Sequence, residues 1–390
     1  MYNRLLNITL PEKQSAFLWG ARQTGKSTYL KKHFPEAVIY DLLNANLYQA
    51  WMQAPWLLRQ EILGQYSDKP GLLFIIDEIQ KIPQLLDEVH WLIENTHHQF
   101  ILCGSSARKL KRTGVNLLGG RAWGLSFYPL TSQEIPGFDL LRALNHGLIP
   151  KHYDSDEKHL LEHVNAYTNL YLTEEIMREA LVRDIPAFSR FIDALKFCNG
   201  ELINYSNVAR DCGINSKTVK EYFQIAVDTL VGYLLEPYKK NVKREVLLAK
   251  PKFYFFDVGI ITALKGQKIS ALAGREVGKA FEHFILMELI AYNGLISRSH
   301  AFYYWRTKSG LEVDFIIGEA EVAIEVKLNK LIQPKDVKGI FHFLEEFPEA
   351  KGYAVCQCDR AYLLEYKDKK VMVLPWNEFL KMLWNKKIIQ

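Results

Sequence analysis

The sequence predicts an α/β protein in three successive parts: a three-layer N-terminal unit around a parallel sheet, a helical middle, and a second α/β unit. Three observations carry this prediction. From Ser15 to about Pro136, short runs that are apolar throughout alternate with helical patterns, as in strands covered on both faces. Between about Gly137 and Pro237 the strand signals fade and apolar residues recur at helical spacing. From Lys279 onward a long apolar helix precedes strand pairs and further helices. A length of 390 residues suits two or three folding units at about 150 residues each. The expected divisions are 1–136, 137–256 and 257–390.

Composition bounds the function classes. Hydrophobic residues make up 48% and charged residues 24%, an ordinary globular balance that excludes a disordered or collagen-like chain. Lysine and arginine number 49 against 44 acidic residues, a net charge of +5, which permits local nucleic-acid contact without requiring it. Five cysteines, an odd number, and a start without a leader-like apolar run predict a reducing compartment, the cytoplasm. No stretch approaches the roughly 18 apolar residues of a bilayer span, so no membrane partner is expected.

In the N-terminal unit the expected strands are Ala16–Trp19, Ala37–Tyr40, Leu72–Ile76, Phe100–Cys103 and Trp123–Phe127. The first leads into Gly20, Ala21, Arg22, Gln23, Thr24, Gly25, Lys26, Ser27 and Thr28, which opens a helix that runs to Phe34. This is the G-x-x-x-x-G-K-[ST] pattern of a P-loop. Its glycines let successive N–H groups turn inward on a β-phosphate at a helix N-terminus. Lys26 would reach the β- and γ-phosphates of ATP, and the Ser27 hydroxyl would hold Mg²⁺. The third strand ends in Asp77 and Glu78, at the edge where a parallel sheet binds its ligand. Asp77 would assist Mg²⁺, and Glu78 would polarise the attacking water.

These motifs, with Asp77-Glu-Ile-Gln-Lys81, Leu102-Cys-Gly-Ser105-Ser106 and Gly120-Arg121, together resemble a prokaryotic family. In it an AAA-type P-loop ATPase domain precedes a winged helix and a C-terminal restriction-endonuclease-like domain of unknown function. The resemblance implies that Ser105 or Ser106 senses the γ-phosphate. It also implies that Arg121, with Arg108 as competitor, acts as an arginine finger toward a neighbouring copy, and hence a homo-oligomer. From the residues alone, a serine turn and a structural arginine are equal readings.

In the middle, helical patterns at Ser206–Asp211 and Ser216–Leu230 flank the turn Cys212-Gly213-Ile214, a helix-turn-helix arrangement. Strand patterns at Val231–Tyr238 and Val246–Phe256 enclose a basic run, as in a wing. Lys217, Lys220 and Gln224 share the face opposite the apolar stripe, and Lys239, Lys240, Lys243 and Arg244 fall in the wing. DNA contact and a merely solvated lysine face both remain open.

Farther along, Leu311–Ile317 and Glu321–Leu328 read as paired strands. Alternation puts Glu321, Glu325 and Lys327 on one face, across from Asp314. Spacing alone allows either an amphipathic hairpin with a wet face or a convergent site. The resemblance implies the second: Asp314 and Glu325 as Mg²⁺ ligands, Lys327 as the group that orients the nucleophile, and Glu282 as an additional acid. Val313 stands where the fuller motif has proline. Cys356 and Cys358 read as core residues, because no second pair completes a zinc site.

The whole predicts an ATP-binding, ATP-hydrolysing, Mg²⁺-dependent enzyme that couples turnover to DNA binding or processing. The alternative is a nucleotide-dependent switch whose later units are protein-contact modules without nuclease activity.

Overall fold

The structure is a computed structural model that describes residues 2–105, 118–168, 184–239, 250–296 and 300–389. Ser106, Arg108, Lys240, Lys243 and Arg244 lie outside the described residues.

Strands β1 (Ser15–Trp19), β2 (Val38–Asp41), β3 (Leu73–Asp77), β4 (Gln99–Gly104) and β5 (Ala122–Ser126) form a parallel sheet in the order β2-β3-β4-β1-β5. Its helices are α1 (Lys26–His33), α2 (Ala45–Gln53), α3 (Leu57–Tyr66) and α4 (Leu85–Asn95). Alternation along the strands explains why they are apolar throughout. Phe17, Phe74, Ile76, Phe100 and Leu102 enter one core with Trp51, Ile62 and Leu85. Ala16, Leu18, Ile75, Ile101 and Cys103 enter another with Tyr29 and Leu30. These are the three expected layers. β5 departs from the expectation of burial on both faces: it is an edge strand, and Trp123 is 44% exposed. Because all five strands are parallel, the ends of β1, β3 and β4 share one edge.

The middle contains α5 (Leu140–His146), α6 (Pro150–Asp154), α7 (Glu157–Asn165), α8 (Ile185–Cys198), α9 (Tyr205–Cys212) and α10 (Ser216–Asp228). Asn204 and Asn215 cap α9 and α10 by accepting from the N–H groups of Asn207 and Thr218. Gly213, at φ 69°, supplies the left-handed turn between them. Strands β6 (Gly232–Pro237) and β7 (Lys252–Phe255) then form an antiparallel hairpin.

That hairpin does not stand apart as a wing of the middle segment alone. β6 also pairs in parallel with β8 (Phe302–Arg306). An eight-stranded sheet results, completed by β9 (Glu312–Ile317), β10 (Val322–Val326), β11 (Lys351–Cys356), β12 (Tyr362–Tyr366) and β13 (Lys369–Pro375), in the order β12-β13-β11-β10-β9-β8-β6-β7. The expected division at 256 therefore falls directly after a strand of a sheet shared by both sides. A local pattern reveals the strand but not its distant partner. Helices α11 (Val258–Leu264), α12 (Arg275–Leu295), α13 (Lys338–Glu346) and α14 (Trp376–Trp384) complete the chain. Phe284 and Leu289 of α12 pack with Phe315 and Ile324, while Ile340 and Phe343 of α13 pack with Val313 and Ala323.

With helices on both faces, all five residues of β10 are buried. This excludes the amphipathic hairpin with a solvated face. Cys356 and Cys358 are both buried and free, as core residues should be. Among the described residues, no helix is long and apolar enough to cross a membrane.

Candidate functional site

The chain turns sharply between β1 and α1. Gln23 and Gly25 take φ of 59° and 97°, so successive N–H groups curl to one side at the start of α1. Gly20 is required by packing, since a Cβ there would lie 2.3 Å from the Phe127 carbonyl oxygen. The loop is closed from within. Lys26 Nζ donates to the carbonyls of Gly20 and Ala21 at 2.7 and 2.9 Å, and Thr24 Oγ1 donates to Ala21 O at 2.8 Å. Burial pushes the Lys26 ammonium below the ordinary lysine value, against the pull of Cys103, Glu78 and Asp77.

The carboxylates that end β3 meet this loop. Ser27 Oγ donates to Asp77 Oδ2 at 2.6 Å, and Glu78 N donates to Asp77 Oδ1 at 3.0 Å. A hydroxyl and a carboxylate in contact form a hard-oxygen donor pair that suits Mg²⁺. Glu78 has a left-handed backbone, φ 60°, a strained conformation of the kind held at functional sites. Its Oε2 accepts from Gln80 Nε2 at 2.6 Å and lies 3.7 Å from Arg22 Nη2. The same Gln80 nitrogen donates to Ser105 Oγ at 3.1 Å. Gln80, which sequence reasoning passed over, thus bridges Glu78 and Ser105. Gly104 leaves the space for it, since a Cβ there would lie 2.3 Å from Gln80 Oε1.

A second omission is Arg4. Its Nη1 donates to the Thr24 carbonyl of the loop at 2.8 Å and its Nε to Glu134 Oε1 at 3.0 Å. Its Nη2 donates to the carbonyls of Tyr128 and Pro129, and its guanidinium lies over the Phe127 ring. The only signal was a lone arginine in an otherwise uncharged start. Arg4, Thr24, Gly25 and Thr28 help line a cavity of about 620 Å³, walled also by Leu6 and Pro150.

Arg121 is not brought to this place. It precedes β5, its carbonyl accepts from Ser15 N at the start of β1, and its side chain pairs with Glu94. The whole of β1 separates it from the loop.

The second cluster lies in the C-terminal sheet. Asp314 on β9 and Glu325 on β10 are 6% and 5% exposed. Lys327 Nζ contacts Glu325 Oε1 at 2.5 Å, and Val326 N donates to Asp314 Oδ2 at 2.8 Å. Burial raises both carboxyls. Asp314, further raised by Glu325, stands well above the usual range, and Glu325 reaches about 7 despite Lys327. Burial opposes the charge on Lys327, yet Asp314 and Glu325 outweigh it and raise the ammonium. Glu325 Oε2 is buried without a hydrogen-bond partner, an orphan acceptor that a cation would satisfy.

These groups line a cavity of about 860 Å³. Glu282 lines it too. Its Oε1 accepts from Tyr254 Oη at 2.5 Å and lies 3.6 Å from Lys252 Nζ. Among the described residues, no group of three His, Cys, Asp or Glu side chains is placed to hold a metal ion. The three carboxylates expected as ligands, Glu282, Asp314 and Glu325, all line this cavity, and an ammonium and a phenol engage Glu282.

In the middle, Lys217, Lys220, Gln224 and Lys239 are exposed. Lys220 Nζ stands 5.2 Å from the centre of the Tyr205 ring, and Gln224 donates to Asp228.

Residues 12–136 match a family described as an AAA domain. The N-terminal segment is therefore an AAA-type P-loop unit, the class its parallel sheet and loop define. Residues 137–271 and 277–379 match two families described as domains of unknown function, DUF8612 and DUF4143. An uncharacterized protein of Haemophilus influenzae is 22% identical over 346 residues, covering 79% of this chain and 80% of that protein. A structure of the Aeropyrum pernix ORC1 protein in complex with DNA is 11% identical, with a TM-score of 0.30, over 65% of this chain and 86% of that one.

Proposed function

We propose that the protein binds ATP with Mg²⁺ in the loop from Gly20 to Thr28 and hydrolyses it. The observation that carries this reading is the meeting of Lys26, the Ser27–Asp77 contact at 2.6 Å, and the Glu78–Gln80–Ser105 chain at one sheet edge. Phosphate oxygens would replace the Gly20 and Ala21 carbonyls as acceptors for Lys26. Ser27 and Asp77 would hold Mg²⁺, which would neutralise phosphate charge. Glu78 would orient the attacking water, and Ser105 would donate to a phosphate oxygen. The cavity beside Thr24, Gly25 and Thr28 would seat the nucleoside.

Calorimetric titration of the intact protein with MgATP tests the reading. Lys26→Ala should abolish uptake. Glu78→Gln should retain it while turnover falls by about a hundredfold or more. Unchanged uptake by Lys26→Ala overturns the proposal.

The later units, with the helix-turn-helix and hairpin as a winged helix, would carry the output of the ATPase to DNA. Lys217, Lys220 and Lys239 would meet phosphates, while Asp314, Glu325 and Lys327 would form a restriction-endonuclease-like centre that holds Mg²⁺. The orphan Glu325 Oε2 supports a cation there. Mg²⁺-dependent cleavage of duplex or single strands, lost in Asp314→Ala and Lys327→Ala, tests it. The direct Lys327–Glu325 pairing at 2.5 Å favours the second reading, a nucleotide switch without nuclease activity. In that case no nucleic acid is cut and DNA leaves ATP turnover unchanged. Arg121 would reach a nucleotide only in a neighbouring copy; ATP-dependent self-association, lost in Arg121→Ala, tests that role.

A further inference from the structure

The cavity of about 620 Å³ beside the phosphate loop is walled by three separate stretches of chain: residues 2–7, parts of 24–33, and Leu130 with Pro150 and Asp154. Three of its lining residues carry rings, Tyr2, Tyr29 and His33. Two of these are already engaged in packing. Tyr29 is buried, its Oη donates to Leu6 O at 2.9 Å, and its ring stacks on His33 at 5.0 Å between centres and lies 5.3 Å from that of Phe127. His33 has Tyr29 on one side and the edge-on Phe34 ring 4.9 Å away. Tyr2 differs from both. No ring among the described residues stacks on it, and it packs against the apolar cluster that contains Leu130 and Tyr153.

The Tyr2 ring is nonetheless fixed. Its Oη donates to Asp154 Oδ1 at 2.5 Å, and Arg142 braces the chain on either side of Asp154 by donating to Tyr153 O and Ser155 O at 2.7 and 2.8 Å. Two residues along from Tyr2, Arg4 is tied to Thr24 O at 2.8 Å. The Cα atoms of Tyr2 and Arg4 are at most about 7 Å apart, which sets the ring within a nucleoside's length of the loop. An aromatic ring held by a carboxylate at its hydroxyl end and lining a cavity beside a phosphate loop suits the stacking of a base, whichever base it is.

We propose that Tyr2 stacks on the base of the bound nucleotide and that Asp154 is a positioning residue, which holds the ring in place for it. This rests on the reading of the cavity as the seat of the nucleoside. Asp154 belongs to α6, so the middle segment takes part in nucleotide binding.

Calorimetry on the full chain with Mg²⁺, using ATP and inorganic triphosphate in parallel, tests the proposal. Tyr2→Ala should weaken ATP binding about tenfold and leave triphosphate within about twofold. An equal loss for both ligands, or an ATP affinity within about twofold, overturns the inference. In a Tyr2→Trp chain the added indole emission should be quenched by ATP and not by triphosphate, and any other pattern overturns it as well. Asp154→Ala should lower ATP affinity about fivefold, whereas Asp154→Asn, which keeps an acceptor, should stay within about twofold of the unsubstituted protein; equal losses in the two overturn the positioning role. Should neither ligand bind the unsubstituted chain, or Lys26→Ala leave both affinities unchanged, the underlying reading of the loop fails instead.

Discussion

Replacing Arg4 by alanine should separate the phosphate loop from its support. The guanidinium is buried, with its side chain 9% exposed and that of Glu134 1% exposed. It holds the Thr24 carbonyl at 2.8 Å, Tyr128 O at 2.6 Å and Glu134 at 3.0 Å. Glu134 keeps the N–H groups of Leu5 and Thr131 when the arginine is lost, but its charge is then buried without a cation. Breaking a buried pair of this kind costs about 3–5 kcal/mol. At roughly 3 °C per kcal/mol for a domain of this size, the unfolding midpoint of the N-terminal unit should drop by about 10–15 °C. Circular dichroism melts with and without MgATP would measure this. Because Thr24 loses its tether, ATP affinity should fall by about tenfold in parallel. Arg4→Lys should recover part of the stability, since one ammonium cannot reach Thr24 and Glu134 together. A midpoint within about 2 °C of the unsubstituted protein and an unchanged Kd for ATP would refute the reasoning.

Gln80→Ala removes the bridge between Glu78 and Ser105; turnover should fall by about tenfold or more with Kd for ATP held, and an equal loss in both would show a merely structural role. Gly147 combines φ 76° with a space already filled, a Cβ there meeting Asp257 Oδ1 at 1.9 Å, so Gly147→Ala should lower stability by about 2 kcal/mol or more, checked by urea denaturation. Burial raises Glu288 to about 7 from an ordinary 4.5, although Ser132 and Trp384 donate to it. The folded state then binds more protons than the unfolded, so this group's stabilisation is full below about pH 4.5 and lost as pH rises through about 7. At 1.36 kcal/mol per pH unit that amounts to about 3 kcal/mol. Urea midpoints at pH 5 and 8 should differ less in Glu288→Gln than in the unsubstituted protein, and equal differences would exclude Glu288 as the source.

The chain itself determined what depends on neighbours along it. Five apolar runs marked the strands of the first sheet, the glycine-lysine spacing marked its loop, and Gly213 marked the turn between two helices, because periodicity and turns are local. Tertiary structure alone decided the rest. Arg4 lies beside Thr24 and Glu134 through contacts that no spacing encodes, and Arg121 lies at the far end of β1 from the loop of its own chain. Likewise β6 joins β8 across more than sixty residues, and Lys252 meets Glu282 and Glu312 only because that pairing carries the hairpin to the cavity. Side-chain chemistry is written residue by residue. Which groups lose water together, and which charge is left to neutralise which, is set by the packing of distant segments.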